Sequence, residues 1–345
     1  MTKHELLTEK AIRQPSKWEP GNFILRDAWF PVTETRQVLD RPVRRTVHSQ
    51  PYYIWREKGQ YVASEFHPAM AVDIAREASA FTAGTGRYPV VEQYGYVWVW
   101  YGNPDNADPA LIPDIPFLPR HRSMPEYASG TNYFHCTYEL VLENILDLTH
   151  IDFVHGNFSG THESEDDRIS VESTSETVTM IRRVKNKATS EYQRDVLGIK
   201  EKTQDVTAFT HIFIRSGVCF LHAHFSSAPS MPLMQTNTPE SRFLTRANFV
   251  FAPHESWSKP FRRTWPKTGP MVAEQDESVL NPQNPRYLPH GDEPDCHTRF
   301  DTAGLRYRSR LRDLINRQKQ GDFSYLPDMA EGSDIAQVLN VKRLS

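Results

Sequence analysis

Between Pro42 and Ser64 apolar and polar positions follow the pattern of short strands. Val43–Val47, Tyr52–Trp55 and Gln60–Ser64 read as short strands, with Glu57-Lys58-Gly59 as a turn, and an antiparallel meander is their natural packing. The run YGYVWVWYG at residues 94 to 102 is rich in β-formers and bounded by glycines. It suits a strand buried on both faces that closes a small N-terminal sheet. From Asn103 to Glu126 prolines recur at 104, 109, 113, 116, 119 and 125, so often that neither helix nor central strand can persist. This stretch is predicted to be an extended arm joining two domains, residues 1–120 and 121–345.

Beyond the arm the period changes. Val141 to His155 is apolar at most positions, with Asn144, Asp147, His150 and Asp152 among the exceptions, which predicts a helix buried on most sides. Ile169–Glu172, Thr177–Val184, Thr207–Ile214, Val218–Phe225 and Phe243–Phe251 are strand candidates between polar or Gly/Pro breaks, so an antiparallel sheet is expected. Residues 253–294 read as proline-rich surface connections interrupted by a helical stretch at 269–280. Asp301–Gln318 has Leu305, Leu311, Leu314 and Ile315 at helical spacing, followed by a stop at Gly321.

The length of 345 residues gives a prior of about two domains. With 38% hydrophobic and 24% charged residues, the chain does not read as disordered, collagenous or membrane-spanning. A net charge of -3 offers no electrostatic footprint for nucleic acid or an anionic membrane. The first thirty residues carry charges throughout and no apolar run of signal or bilayer length, so a cytoplasmic protein is expected. The three cysteines, Cys136, Cys219 and Cys296, are too few and too far apart for a disulfide framework or a CxxC site. None precedes Cys136.

The chemistry concentrates in ENILDLTHIDFVH, residues 143 to 155. Two histidines and one carboxylate with open positions is the usual arrangement of oxygen-activating non-haem iron, and His150 and His155 are candidate imidazoles, against the plainer reading of such a pair as core or surface histidines. Five residues on a regular helix would separate them by about 140°, so the helix must end or open before His155. Asp147, one turn before His150, is placed to accept the free N–H of that ring, while Asp152 reads as solvated. His222 and His224 share a strand face and form a rival pair, more simply explained as pocket or hydrogen-bonded histidines. Cys296-His297 reads as surface. The third ligand must be a distant carboxylate, and periodicity does not choose among Glu274, Asp276 and Glu277.

ENILDLTHIDFVH resembles the iron-binding segment of Rieske-type non-haem iron oxygenases, especially the vanillate O-demethylase-like branch of the aromatic-ring-hydroxylating oxygenase α subunits. RDAWFPV (26–32), YPVVEQYGYVWVWYG (88–102), the IPDIPFLP arm and DTAGLRYRSRL extend the likeness along the chain. The resemblance implies an α+β fold, a small Rieske-like β domain followed by a helix-grip domain of antiparallel sheet over helices. It implies mononuclear Fe(II) on His150 and His155, with O2 as co-substrate and a small aromatic or heteroaromatic substrate. QDESVLNPQNPRYLP (275–289) matches the segment supplying the carboxylate ligand, which favours Asp276. Asp147 matches the residue that bridges electron transfer between neighbouring subunits, and Asn144 a position near the iron.

One part of the pattern is missing. A Rieske [2Fe-2S] cluster takes two thiolates and two imidazoles from CxH and CxxH. The first position here reads Ser64-Glu65-Phe66-His67, and the CxxH lobe between His67 and Tyr88 is lacking. The cluster is therefore expected to be absent from this chain, with electrons supplied by a Rieske-bearing homologous subunit in a homo- or hetero-trimer, or by a ferredoxin or reductase. Monooxygenation or demethylation is the preferred reaction, with dihydroxylation possible within the family. The alternative is a non-catalytic partner subunit of a heteromeric oxygenase.

Overall fold

A computed structural model describes residues 24–70, 78–82, 84–121, 128–160, 167–228, 230–252, 259–287, 296–326 and 334–344. Two small antiparallel sheets come first. One has the order β1-β7-β6, built from Ala28–Glu34, Tyr96–Tyr101 and Val90–Gln93. The other has the order β2-β3-β4-β5, from Val43–Val47, Gln50–Glu57, Gln60–Ser64 and Arg87–Tyr88. Lys58 and Gly59 both have positive φ in the β3–β4 hairpin, as do Tyr94 and Gly95 in the β6–β7 hairpin, the conformation a two-residue turn needs to match strand twist.

Strand β7 is buried at every position because it serves two cores. Val97, Val99 and Tyr101 face Phe30, Tyr52 and Ile54 between the small sheets. Tyr96, Trp98 and Trp100 face outward onto the arm and the large sheet. The proline-rich arm is thus not a free spacer. It forms two short 3-10 turns, Pro104–Asn106 and Pro109–Leu111, capped by the Asn103 and Asp108 side chains, and then buries Ile112, Ile115, Phe117 and Leu118.

The large sheet has seven antiparallel strands in the order β8-β14-β13-β12-β11-β10-β9. In chain order these are β8 (Ser129–Phe134), β9 (Arg168–Ser173), β10 (Thr177–Ala188), β11 (Thr203–Phe213), β12 (Val218–Phe225), β13 (Met231–Ser241) and β14 (Leu244–Phe251). One face carries Met180, Ile212, Cys219 and Ala247 against helices. The opposite face carries Phe209, Val218, Phe220 and Met234 against the arm and β7. Strands β8 and β13 escape the sequence reading, β13 because Pro232 and Pro239 break its pattern.

The helices are α1 (Tyr138–Leu146), α2 (Ile151–Val154), α3 (Gly156–Ser159), α4 (Lys259–Leu280), α5 (Asn284–Tyr287), α6 (Thr302–Lys319) and α7 (Ile335–Leu339). Three expectations need correction. The predicted Val141–His155 helix is three pieces, and the stretch at 269–280 belongs to α4, ten residues longer at its start and continuing through Pro266 and Pro270. Helix α6 lies almost where predicted, but its buried residues are Ala303, Tyr307, Leu311 and Leu314, and Leu305 is exposed. Residues 253–258 and 288–295 of the predicted surface connections lie outside the described residues. Among those described, no helix is long and apolar enough to cross a membrane.

Candidate metal centre

Helix α1 buries Leu140, Val141, Leu142, Ile145 and Leu146 under the large sheet, and Thr210 of β11 donates to the Ile145 carbonyl at 3.1 Å. The helix stops at Asp147, whose φ and ψ of -90° and 87° leave helical space. The cause is local. The Asp147 carboxylate accepts from the Thr149 N–H at 2.9 Å and from the Thr149 hydroxyl, a turn that competes with helix continuation. His150 then opens the single turn of α2, and His155 breaks it again before α3.

These two breaks bring together rings that a straight helix would hold apart. The His150 and His155 ring centroids are 5.2 Å apart at 74°. Helix α4 lays Asp276 against both, with its Oδ1 2.9 Å from His155 Nε2 and 3.3 Å from His150 Nε2. One ligand atom from each of the three residues lies within 4.8 Å of the others. Asn144 Nδ2 donates to the same Asp276 oxygen at 3.0 Å.

The far side of each ring is also held. His155 Nδ1 meets Gln275 Oε1 at 2.9 Å, and His150 Nδ1 meets the main-chain carbonyl of Asp147. With Nδ1 as the donor in both rings, both Nε2 atoms turn to the carboxylate. Burial opposes charge at Asp276, but the two imidazoles outweigh it and hold the carboxyl well below the usual carboxylate range. Burial likewise lowers the basicity of His150, and Asp276 with the Asp147 carbonyl reverses that and raises it.

Several sequence expectations change. The backbone of Asp147, not its carboxylate, fixes the His150 ring. Asp152 is buried rather than solvated, paired with Arg182 at 2.6 Å and with Lys187. His222 and His224 do share a strand face, with centroids 4.1 Å apart. That face carries Val218 and Phe220 against the arm, so the sheet separates the pair from His150 and His155. His297 and Asp301 border a surface hollow beside Asp147, while Cys296 is exposed. Gln275 was not singled out from sequence, and only its adjacency to Asp276 hinted at it.

Where a cluster thiolate would be sought, the Ser64 hydroxyl donates to the Gly86 carbonyl at 2.6 Å and accepts from the Phe66 N–H. His67 Nδ1 accepts from the Ala69 N–H at 3.2 Å, and its ring lies edge-on to Tyr53.

Residues 134–317 match the family profile described as vanillate O-demethylase oxygenase C-terminal domain, more than half of the chain. The chain belongs to this family. Among curated relatives of this oxygenase domain, the chain is 37% identical over 101 residues to the vanillate O-demethylase oxygenase subunit of Pseudomonas sp. (strain HR199 / DSM 7063), covering 29% of this chain and 27% of that protein. It is 26% identical over 165 residues to the dicamba O-demethylase oxygenase component of Stenotrophomonas maltophilia, covering 38% and 48% respectively. The matches thus span about a quarter to a half of these relatives. The fold match extends further. Dicamba monooxygenase bound to dicamba superposes with a TM-score of 0.71 at 17% identity over 86% of this chain and 99% of that one. The terminal oxygenase of carbazole 1,9a-dioxygenase from Nocardioides aromaticivorans IC177 gives a TM-score of 0.58 at 17% identity, covering 89% and 98%. The fold is that of these oxygenases, a mixed helix and antiparallel-sheet domain with a small Rieske-like portion.

Proposed function

We propose that this chain is the iron-bearing component of an oxygenase that hydroxylates or demethylates a small aromatic or heteroaromatic molecule, with electrons delivered by another protein. The observation that carries this is the convergence of one ligand atom each from His150, His155 and Asp276 within 4.8 Å, with Asp276 Oδ1 2.9 Å from His155 Nε2 and 3.3 Å from His150 Nε2. Two imidazoles and one carboxylate fit Fe(II) as a facial set with positions left open. When bound, the iron would supply activation of O2. The chain's own part is to hold both Nδ1 protons away from the metal, on Gln275 and the Asp147 carbonyl, and to keep Asp276 ionised through its contacts with Asn144 and the two rings. The relatives named as aromatic O-demethylase components support the substrate class.

The electron source is inferred to lie outside the chain. The first 135 residues contain no cysteine, and Ser64 and His67, standing where the first ligand pair would be, are engaged in local hydrogen bonds. These residues do not fit a [2Fe-2S] cluster, so the small sheets within residues 1–120 are read as a degenerate Rieske-like domain that docks against a catalytic domain of residues 121–345. Asp147, beside a surface hollow, is the proposed entry point for electrons from a Rieske-bearing subunit of a trimer or from a ferredoxin. A carbazole 1,9a-dioxygenase oxygenase solved in complex with ferredoxin supports the latter partner. The free cysteines accord with a cytoplasmic location.

The missing cluster ligands also motivate a second reading, a non-catalytic subunit that shapes an active partner. Reconstitution separates the two. Fe(II)-loaded chain with a reduced ferredoxin and an aromatic methyl ether should consume O2 and release formaldehyde, and Asp276→Ala should abolish both. Tight iron binding without substrate-dependent O2 consumption, in the presence of its native electron donor, would favour the scaffold.

A further inference from the structure

A buried charge cluster ties strand β10 to the turn that carries His150. Arg182 of β10 points to the helix-bearing face of the large sheet, on the same side as Met180. Its NH1 donates to the Leu148 carbonyl at 2.8 Å and its NH2 to Asp152 Oδ2 at 2.6 Å. Its Nε and NH2 also hold Asp167, and Lys187, five residues further along β10, takes the other Asp152 oxygen. The Arg182, Lys187 and Asp152 side chains are each no more than 6% exposed, and Asp167 is 14% exposed. Two cations balance two anions.

Such a cluster is poorly explained as a source of stability, because desolvating four charges offsets most of their attraction. Its placement is more informative. Leu148 and Asp152 stand two residues before and two residues after His150, so one guanidinium grips the chain on both sides of that histidine. The main chain here is a break between helical turns, and its own bonds, such as Asp152 N–H to the Thr149 carbonyl and Val154 N–H to the His150 carbonyl, are local and do not tie it to β10. A planar fork that spans a carbonyl and a carboxylate gives it a single position relative to β10.

We propose that Arg182, acting through Leu148 and Asp152, is the positioning residue that sets the direction of His150 Nε2 toward the metal, with Lys187 holding Asp152 in place. The inference rests on the reading of His150, His155 and Asp276 as an iron site. It assigns to β10, a strand that contributes no ligand, the geometry of one ligand.

The test uses anaerobic Fe(II) titration of the full chain and the electron paramagnetic resonance spectrum of its nitrosyl adduct. Neither depends on turnover. Arg182→Met and the milder Asp152→Asn should weaken Fe(II) binding by about tenfold or more and change the rhombicity of the nitrosyl signal. Arg182→Lys keeps the charge but not the fork and should show most of the same loss. Arg215→Met is the control. This equally buried arginine pairs with Glu176 at 2.8 Å and donates to the Phe323 and Ser324 carbonyls, and its loss should lower stability without altering the iron signal. A folded Asp152→Asn protein with unchanged affinity and spectrum would overturn the proposal, as would an Arg215→Met protein that loses iron equally. Wild-type protein that takes up no Fe(II) would remove the iron reading itself, and this inference with it.

Discussion

Gln275 carries no charge, yet its Oε1 is the hydrogen-bond partner of His155 Nδ1. Gln275→Ala should therefore weaken Fe(II) binding by about tenfold while changing unfolding free energy by no more than about 1.5 kcal/mol, as titration and urea denaturation would show. Equal affinity in the two proteins would mean the ring is oriented by packing alone. Asp147 makes the opposite case. Its carbonyl fixes His150 while its carboxylate accepts from the Thr149 N–H and hydroxyl, so Asp147→Asn should load iron normally. Turnover with the electron donor should fall steeply, and an undiminished rate would remove the proposed bridging role. Sequence exposes Asp147 and the two histidines because polar groups in an apolar run need a reason to be there. It hides the division of labour within Asp147, since a backbone acceptor has no residue identity. Asp152 is misread for a related reason. Its partners Arg182 and Lys187 lie 30 and 35 residues away, on a strand whose pairing the pattern does not reveal.

At the level of elements, the ligand segment works because it fails to be one helix. The apolar pattern from Val141 to His155 correctly marks a buried segment. Periodicity says nothing of the Asp147–Thr149 turn that stops α1, or of the second break at His155. The segment ends at Gly160, with φ of 75°, where an added Cβ would lie 2.0 Å from the Ala188 carbonyl of β10. Gly160→Ala should cost about 1–3 kcal/mol through strained backbone and loosen the attachment of α3 to β10. An unchanged urea midpoint would contradict that. The β12 histidines carry a parallel lesson. Strand period two correctly places His222 and His224 on one face, but only the register of β12 with β11 and β13 shows which face meets the helices.

At the scale of the whole molecule, His48, His211 and His222 are buried. Burial lowers His48 and His222 to about 3 and His211 to about 4, against an unfolded value of 6.5. Between these values the native state binds fewer protons than the unfolded chain, so the contribution is full above pH 6.5 and is lost as pH falls toward 4. Glu139, pushed up to about 8 by burial, titrates in the opposing direction between 8 and 4.5. His222→Leu isolates one group. Its unfolding free energy should fall less steeply than wild type between pH 6 and 4, by about 1.4 kcal/mol per pH unit, and parallel curves would show that His222 is not held neutral.

The antiparallel sheets and helix α6 are legible in sequence because strand alternation and the α6 period follow from burial on one face. Strands β8 and β13 and the first half of α4 are not, since their prolines and polar residues are tolerated only through tertiary packing. The central claim is a lone ferrous site in a chain without its own cluster. Anaerobic Fe(II) titration of the purified full-length chain, combined with acid-labile sulfide analysis, tests it most directly. The expected result is a single ferrous ion per chain, lost in His150→Ala and His155→Ala, with no sulfide. Iron accompanied by stoichiometric sulfide, or no iron bound at all, would contradict it.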